Sequence, residues 1–235
     1  MSDPALRQVG AALCGQAALL AVLAAAPGLG PWGWTVGALY ALSAVGLLVA
    51  AMRRHRRWPL GPADLVTLTR LVLIGGVTAL VVDGGPAWAL VTLAVPALAL
   101  DLVDGLVARR TGTASAFGAR FDMEADAFLI LVLSVRVASF LGPWVLVIGA
   151  MRYLFGSASW AAPWLRGPLP PSRARKAVAA AQGIVLTAVA SGVLPGSVSV
   201  GVVAVVAAAL SWSFGRDVVG LWRERSHRTV PVGRS

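Results

Sequence analysis

The chain has 235 residues, of which 58% are hydrophobic and only 13% are charged. Soluble domains carry roughly twice that charged share, so an ordinary soluble protein is excluded and a polytopic α-helical membrane protein is predicted. The net charge of +10 does not indicate nucleic-acid binding, because the basic residues form short clusters at the ends of apolar runs. The single cysteine, Cys14, excludes an intrachain disulfide and is expected to be buried, since it lies in an apolar run.

Eight apolar runs alternate with short connectors that are rich in glycine, proline or basic residues. No alternation of apolar and polar residues typical of strands is evident, so the predicted fold class is all-α. We therefore predict one membrane bundle of eight transmembrane helices. The predicted spans cover residues 8–26, 34–52, 65–82, 87–108, 119–141, 144–162, 175–194 and 197–214.

The basic residues predict how this bundle is oriented. If the N-terminus is cytoplasmic, the connectors at 27–33, 83–86, 141–143 and 194–196 lie outside, and none of them contains lysine or arginine. The cytoplasmic connectors and the tail then carry nearly all of the positive charge, as expected for cytoplasmic loops. The basic cluster at 53–58 is interpreted as an anchor that lies in the membrane plane, with a specific lipid-binding patch as the alternative.

Five of the ten acidic residues lie between Asp101 and Asp126. Asp101 and Asp104 are three residues apart and share a face near the end of the fourth span. Asp122 and Asp126 are four apart and share a face at the start of the fifth. These pairs are predicted to meet near the cytoplasmic side of the membrane. Four carboxylates at this distance need cations to remain ionised, and Mg²⁺ or Mn²⁺, as two ions, suits oxygen ligands.

Small residues accompany these acids. Gly105, Ala108 and Gly118 remove side-chain bulk, so that a phosphorylated ligand can approach the helix backbone. Arg109 can pair with a phosphate or hold an aspartate. A solvated helix end with packing glycines remains the alternative for any one of these positions. That alternative does not account for all of them together, because the probability that chance placed these residues at every position is negligible.

The pattern D-xx-DG-xx-AR-x8-G-xxx-D-xxx-D, from Asp101 to Asp126, resembles the signature of the CDP-alcohol phosphotransferase family at every position. Upstream, Asp64-xx-Thr67-xx-Arg70 is similar to the N-xx-T-xx-R that opens the family's first core helix, with Asp in place of Asn. The resemblance implies a six-helix catalytic core at 59–215. Two additional N-terminal helices with a basic segment (1–58) would precede it, and a basic cytoplasmic tail (216–235) would follow.

The resemblance also implies the chemistry. Members of the family transfer a phosphatidyl or related group from a CDP-alcohol to an acceptor hydroxyl and release CMP. CDP-diacylglycerol is the expected donor. The expected process is phospholipid biosynthesis in the cell membrane, with the site facing the cytoplasm. The family often forms homodimers. The implied metal ligands are Asp101, Asp104, Asp122 and Asp126, with Asp126 also the general base. The implied CDP-binding residues are Asp101, Asp104, Gly105, Ala108, Arg109, Gly118 and Asp122.

Candidate residues for the acceptor lie further along the chain. Arg152 is inside the sixth span, where it either binds the acceptor or pairs with an aspartate or a backbone carbonyl. Several family members have an acid after this arginine, whereas Tyr153 follows here. Arg173, Arg175 and Lys176 open the seventh span, either as a clamp for an acceptor phosphate or as a cytoplasmic anchor. This basic opening resembles phosphatidylglycerophosphate and cardiolipin synthases. Phosphatidylinositol-phosphate synthesis, with inositol phosphate as acceptor, is a further option.

A second class of function also fits carboxylates within a membrane, namely a cation transporter. A transporter more often has its acids near the bilayer midplane, on helices that are broken there. In this sequence the acids lie near one face, beside a loop that contains glycine and arginine. The sequence therefore favours the transferase, and the transporter is the alternative.

Overall fold

The computed structural model describes residues 3–55, 62–111, 116–167 and 172–228. In these ranges the chain is helical and contains no strand, which confirms the all-α fold class. Two short 3₁₀ helices occur, at Pro143–Val145 and Pro163–Arg166. The α-helices are α1 (Asp3–Ala25), α2 (Pro31–His55), α3 (Pro62–Val82), α4 (Ala87–Thr111), α5 (Ala116–Leu141), α6 (Leu146–Ala161), α7 (Arg173–Ala190) and α8 (Gly196–Arg228).

Each predicted span coincides with one of these helices, but α8 is longer than expected. The predicted span ends at residue 214, whereas α8 continues to Arg228 and includes much of the predicted tail. The extension is packed: Leu221 is buried, and the Asp217 side chain is only 14% exposed. The remaining predicted connector and tail residues, at 56–61, 112–115, 168–171 and 229–235, lie outside the described residues.

Four of the described helices are long and apolar enough to cross a membrane: α1, α2, α3 and α8. A shorter apolar segment, Ala87–Asp101, forms most of α4. Charged residues lie in the first two turns of α5 and at the start of α7, and α6 has only 16 residues. The chain is therefore an integral membrane protein, and the crossing of all eight helices stays a prediction.

The third helix, α3, lies at the centre of the bundle and packs against α1, α2, α4 and α5. Its apolar side chains Ile74, Val77 and Leu80 are fully buried or nearly so and belong to the main hydrophobic core. That core also includes residues of α1, α4, α5, α7 and α8. Not every apolar residue joins it: Cys14 is exposed, so its predicted burial is wrong, since this side of α1 is left uncovered by the other described helices.

A tight turn reverses the chain between α3 and α4. Gly84 has a φ of 66°, a left-handed conformation that a residue without Cβ adopts at little cost. In the same turn, the Asp83 carboxylate accepts a hydrogen bond of 2.7 Å from the backbone N–H of Gly30, between α1 and α2. Because α3 and α4 run antiparallel, the start of α3 and the end of α4 lie at the opposite end of the bundle from this turn.

Candidate active site

Three of the four predicted aspartates come together at that opposite end. Asp101 is on α4, and Asp122 and Asp126 lie one turn apart on α5. One carboxylate oxygen from each lies within 4.8 Å of the others. Both α4 and α5 pack against α3, so the central helix sets the distance between them. Asp104 lies nearly one turn beyond Asp101 on α4, but its side chain is outside the described ones.

An arginine from α3 connects these carboxylates. The side chain of Arg70 is fully buried, and its Nη1 lies 3.1 Å from Oδ1 of Asp101. It also forms ion pairs with Asp122, through Nη1, and with Asp126, through Nη2. A guanidinium group has five N–H donors in a planar arrangement, so it can contact several carboxylates at once. Arg70 thus joins α3, α4 and α5 at one point.

Among the described side chains, the charges at this point do not cancel. Three described carboxylates face the Arg70 guanidinium, so these four groups together carry a charge of about −2 if all are ionised. The aspartate side chains are each about one-third exposed, so the group is accessible from outside the bundle. Hard oxygen donors, close spacing and excess negative charge are what Mg²⁺ and Mn²⁺ need. The residues present therefore fit a divalent metal site.

The residues predicted to surround a nucleotide are described in part. Gly105, Ala108 and Arg109 lie in the last two turns of α4, and their side chains are outside the described ones. Gly118 is in the first turn of α5 and is partly exposed. The backbone therefore places these four residues at the end of α4 and the start of α5, the two helices that carry the aspartates. Their roles stay predictions.

Arg152, on α6, pairs with Glu124 rather than with one of the aspartates. Positions two apart on a helix point about 200° apart, so Glu124 lies on the other side of α5 from Asp122 and Asp126. The ion pair lines a groove of about 480 Å³, whose aromatic side chains include Phe155 and Trp160. Arg152 therefore faces a different surface of α5 from the carboxylate group.

The basic opening of α7 contains an ion pair with the extended part of α8. Nη1 of Arg175 lies 3.1 Å from Oδ2 of Asp217. Ser172 caps α7, since its hydroxyl oxygen accepts from the backbone N–H of Arg175 at 3.4 Å. Lys176 is exposed, and the side chain of Arg173 is outside the described ones. Arg175 is thus held in place by a carboxylate from a helix that was not expected to reach it.

Neither Arg70 nor Asp217 is a residue whose role was predicted from the sequence. Arg70 had two signals: it is an arginine inside an apolar span, and it is the last residue of the upstream Asp64-xx-Thr67-xx-Arg70 pattern. Asp217 had only the weaker signal of being one of two acids, with Glu224, in a basic segment. Neither signal specifies a partner, because each partner lies more than 30 residues away in the chain.

Comparison with known proteins gives one match. The sequence profile of the family described as CDP-alcohol phosphatidyltransferase matches residues 61–214, about two thirds of the chain. The matched segment runs from the start of α3 into α8, so it includes Arg70 and all the aspartates of the site. No curated protein and no solved structure gives a significant match.

Proposed function

This chain belongs to the CDP-alcohol phosphatidyltransferase family, and on that premise we propose that it transfers a phosphatidyl group from CDP-diacylglycerol to an acceptor hydroxyl in phospholipid biosynthesis. The family supports a transferase that acts on a CDP-alcohol and a hydroxyl acceptor. The donor and the pathway are part of the proposal. The observation that carries it is the convergence of Asp101, Asp122 and Asp126, together with Arg70, within the matched segment.

The carboxylates bind the metal ions in this proposal. Asp101, Asp104, Asp122 and Asp126 hold two divalent ions, Mg²⁺ or Mn²⁺. When bound, such ions neutralise the pyrophosphate and stabilise the charge that develops on departing CMP. Gly105, Ala108 and Gly118 leave space for the cytidine diphosphate beside the helix backbone, and Arg109 pairs with one of its phosphates. Support comes from the excess negative charge of the described carboxylates.

Asp126 acts as the general base. It accepts the proton of the acceptor hydroxyl as the hydroxyl oxygen attacks the phosphorus that bears the lipid alcohol. The new P–O bond forms in line with the bond between that phosphorus and the bridging oxygen. The latter bond breaks, and the bridging oxygen leaves as part of CMP. The Asp126 side chain is 39% exposed, so an acceptor can reach it from outside the bundle.

The acceptor carries a phosphate in this proposal. Arg173, Arg175 and Lys176 lie at the start of α7, and their positive charges suit a phosphate group. Glycerol 3-phosphate, inositol phosphate and phosphatidylglycerol all present one. Support comes from Arg175, whose position is set by both Asp217 and the cap of α7. The Arg152 groove is a separate acceptor candidate, since it lies on another side of α5.

The site faces the cytoplasm of the cell membrane in this proposal. The predicted outer connectors contain no lysine or arginine, while the ends of α4 and α7 near the site are basic. Water-borne substrates and metal ions then reach the site from the cytoplasm, and the lipid donor enters from the inner leaflet. A homodimer remains compatible with this arrangement.

The experiment that tests the function measures CMP release by the purified protein in lipid vesicles. CDP-diacylglycerol and Mg²⁺ or Mn²⁺ are supplied with each of the three acceptors in turn. We expect CMP release with one acceptor, and its loss when the metal is removed by a chelator. No CMP release with any acceptor, together with metal ions crossing the vesicle membrane, would instead establish the transporter.

The Asp126→Asn variant tests the general base. Asparagine keeps the size of the side chain but cannot take the proton, so we expect CMP release to fall by about 10²-fold or more. The unfolding temperature in detergent should stay close to that of the wild type, which shows that the loss is chemical. Full activity in this variant would refute the role of Asp126 as base.

A further inference from the structure

Arg70 and the proposed metal ions depend on the same carboxylate groups. The guanidinium group contacts one oxygen, Oδ1, of Asp101, of Asp122 and of Asp126. These are the three described side chains whose carboxylate oxygens lie close enough to share an ion. Each contact uses one of the lone pairs that the carboxylate could otherwise offer to a metal ion. Arg70 therefore occupies part of the space that a divalent cation would fill. It also offsets part of the negative charge that would attract the cation.

The guanidinium and a divalent cation also repel each other. Both are positive, and at a few ångströms in a partly buried site this repulsion is only weakly screened. The backbone of α3 is fixed by packing on four sides, whereas the long arginine side chain can change rotamer. The side chain is thus the part of this arrangement that can move when an ion enters.

We propose that Arg70 is a built-in counter-ion of the carboxylate group, which holds Asp101, Asp122 and Asp126 together without metal and is displaced from them when divalent ions bind. The inference rests on the proposed metal-dependent function and adds a positioning residue to it. The guanidinium offsets part of the repulsion among the carboxylates, so they can lie close together before an ion binds. The cost is a lower metal affinity, because each ion must replace existing ion pairs.

Removal of the arginine charge should separate these two effects. Without metal, Arg70→Gln removes the guanidinium that the three neighbouring carboxylates share, so their mutual repulsion rises and stability falls. With metal, the same variant offers a more negative site and no competitor, which raises affinity. The two changes have opposite signs, and a purely structural role for Arg70 would not produce the second.

The test uses the full chain, purified in detergent, with Mn²⁺ as the probe. Free Mn²⁺ is followed by electron paramagnetic resonance during titration, and unfolding temperature is measured with and without Mn²⁺. We expect Arg70→Gln to bind Mn²⁺ roughly tenfold more tightly than the wild type, or better. We also expect this variant to unfold at a lower temperature than the wild type without metal. Added Mn²⁺ should raise its unfolding temperature more than that of the wild type.

A second variant covers the case in which Arg70→Gln does not fold. Arg70→Lys keeps the positive charge but lacks the planar fork needed to contact three carboxylates at once. Fewer ion pairs then need to be replaced, so Mn²⁺ affinity should lie above that of the wild type. Mn²⁺ affinity unchanged or weakened in the variant that folds would overturn the proposal.

Asp101→Asn serves as the control for the metal site itself. This variant removes one metal ligand and keeps Arg70, so Mn²⁺ affinity should fall by about tenfold or more. If the wild type binds no Mn²⁺ at all, the metal-dependent function fails, and the inference fails with it. A different outcome is that the wild type binds Mn²⁺, Asp101→Asn weakens this binding, and Arg70→Gln leaves the Mn²⁺ affinity unchanged. That outcome refutes only the role of Arg70.

Discussion

Tyr40, on α2, combines favourable packing with an unsatisfied polar group. Its ring stacks on Phe128 of α5, with ring centroids 5.3 Å apart and planes inclined by 29°. The hydroxyl group is buried and, within the described part of the chain, has no hydrogen-bond partner. Aromatic pairs of this kind contribute about 0.5–1.5 kcal/mol beyond burial, whereas a buried unpaired hydroxyl costs about 1–3 kcal/mol.

These opposite contributions can be separated by two substitutions. Tyr40→Phe keeps the ring and removes the hydroxyl, so it should leave the protein equally stable or raise the free energy of unfolding by about 1 kcal/mol. Tyr40→Ala removes the ring stacking and leaves a cavity, so it should lower the free energy of unfolding by about 2 kcal/mol or more. Denaturant unfolding in detergent measures both. A clear loss of stability in Tyr40→Phe would show that the hydroxyl has a partner after all.

At the scale of elements, the close approach of α6 to α5 depends on one glycine. A Cβ atom at Gly149 would lie 2.6 Å from Cα of Leu131, a backbone atom of α5. A backbone atom cannot move aside as the end of a side chain can, so the two helices would have to separate. Arg152 lies one turn further along α6, and its ion pair with Glu124 depends on the same spacing.

Gly149→Ala should therefore destabilise the protein, by about 1–3 kcal/mol, because the added methyl group overpacks the interface. Gly156→Ala is the matched control. It lies two turns further on the same helix, where an added Cβ would meet nothing within 4 Å. That change should be neutral or stabilise by up to about 1 kcal/mol, since alanine favours the helix. Equal effects of the two variants in thermal unfolding would refute the importance of this contact.

At the scale of the whole molecule, the α1–α2 pair lies outside the segment matched by the family profile, yet it packs as part of the core. Leu20 and Leu23 of α1 are buried in the main hydrophobic core. Leu48 and Met52 of α2 form a second cluster with residues of α3 and α5. The hydrogen bond between the Asp83 carboxylate and the α1–α2 turn adds a polar contact at the other end.

A variant that lacks residues 1–55 should accordingly be poorly folded, because much of the buried surface of α3 would be uncovered. We expect a several-fold lower yield of monodisperse protein in detergent and loss of most CMP release. Coexpression of residues 1–55 as a separate chain should restore both, since packing rather than covalent linkage holds the pair. A shortened protein that is stable and fully active would show that these helices are an accessory.

The sequence alone determined the helices, except for the C-terminal part of α8, and the faces of the acidic residues. Apolar runs of about 20 residues must satisfy their backbone hydrogen bonds internally within a membrane, so they form helices whose ends follow glycine, proline and charge. The spacing of Asp122 and Asp126 places both on one face for the same geometric reason. The signature from Asp101 to Asp126 is likewise a local pattern, and recognising it needs no knowledge of which helices are neighbours.

Only the tertiary structure decided which charges meet. Arg70 could have faced lipid, another arginine or the aspartates, and its position between α4 and α5 depends on the packing of α3 at the centre of the bundle. The pairing of Arg152 with Glu124, and of Arg175 with Asp217, depends likewise on helices far apart in the chain. Residue spacing specifies a direction around one helix axis, whereas a partner is chosen by the packing energy of the whole bundle.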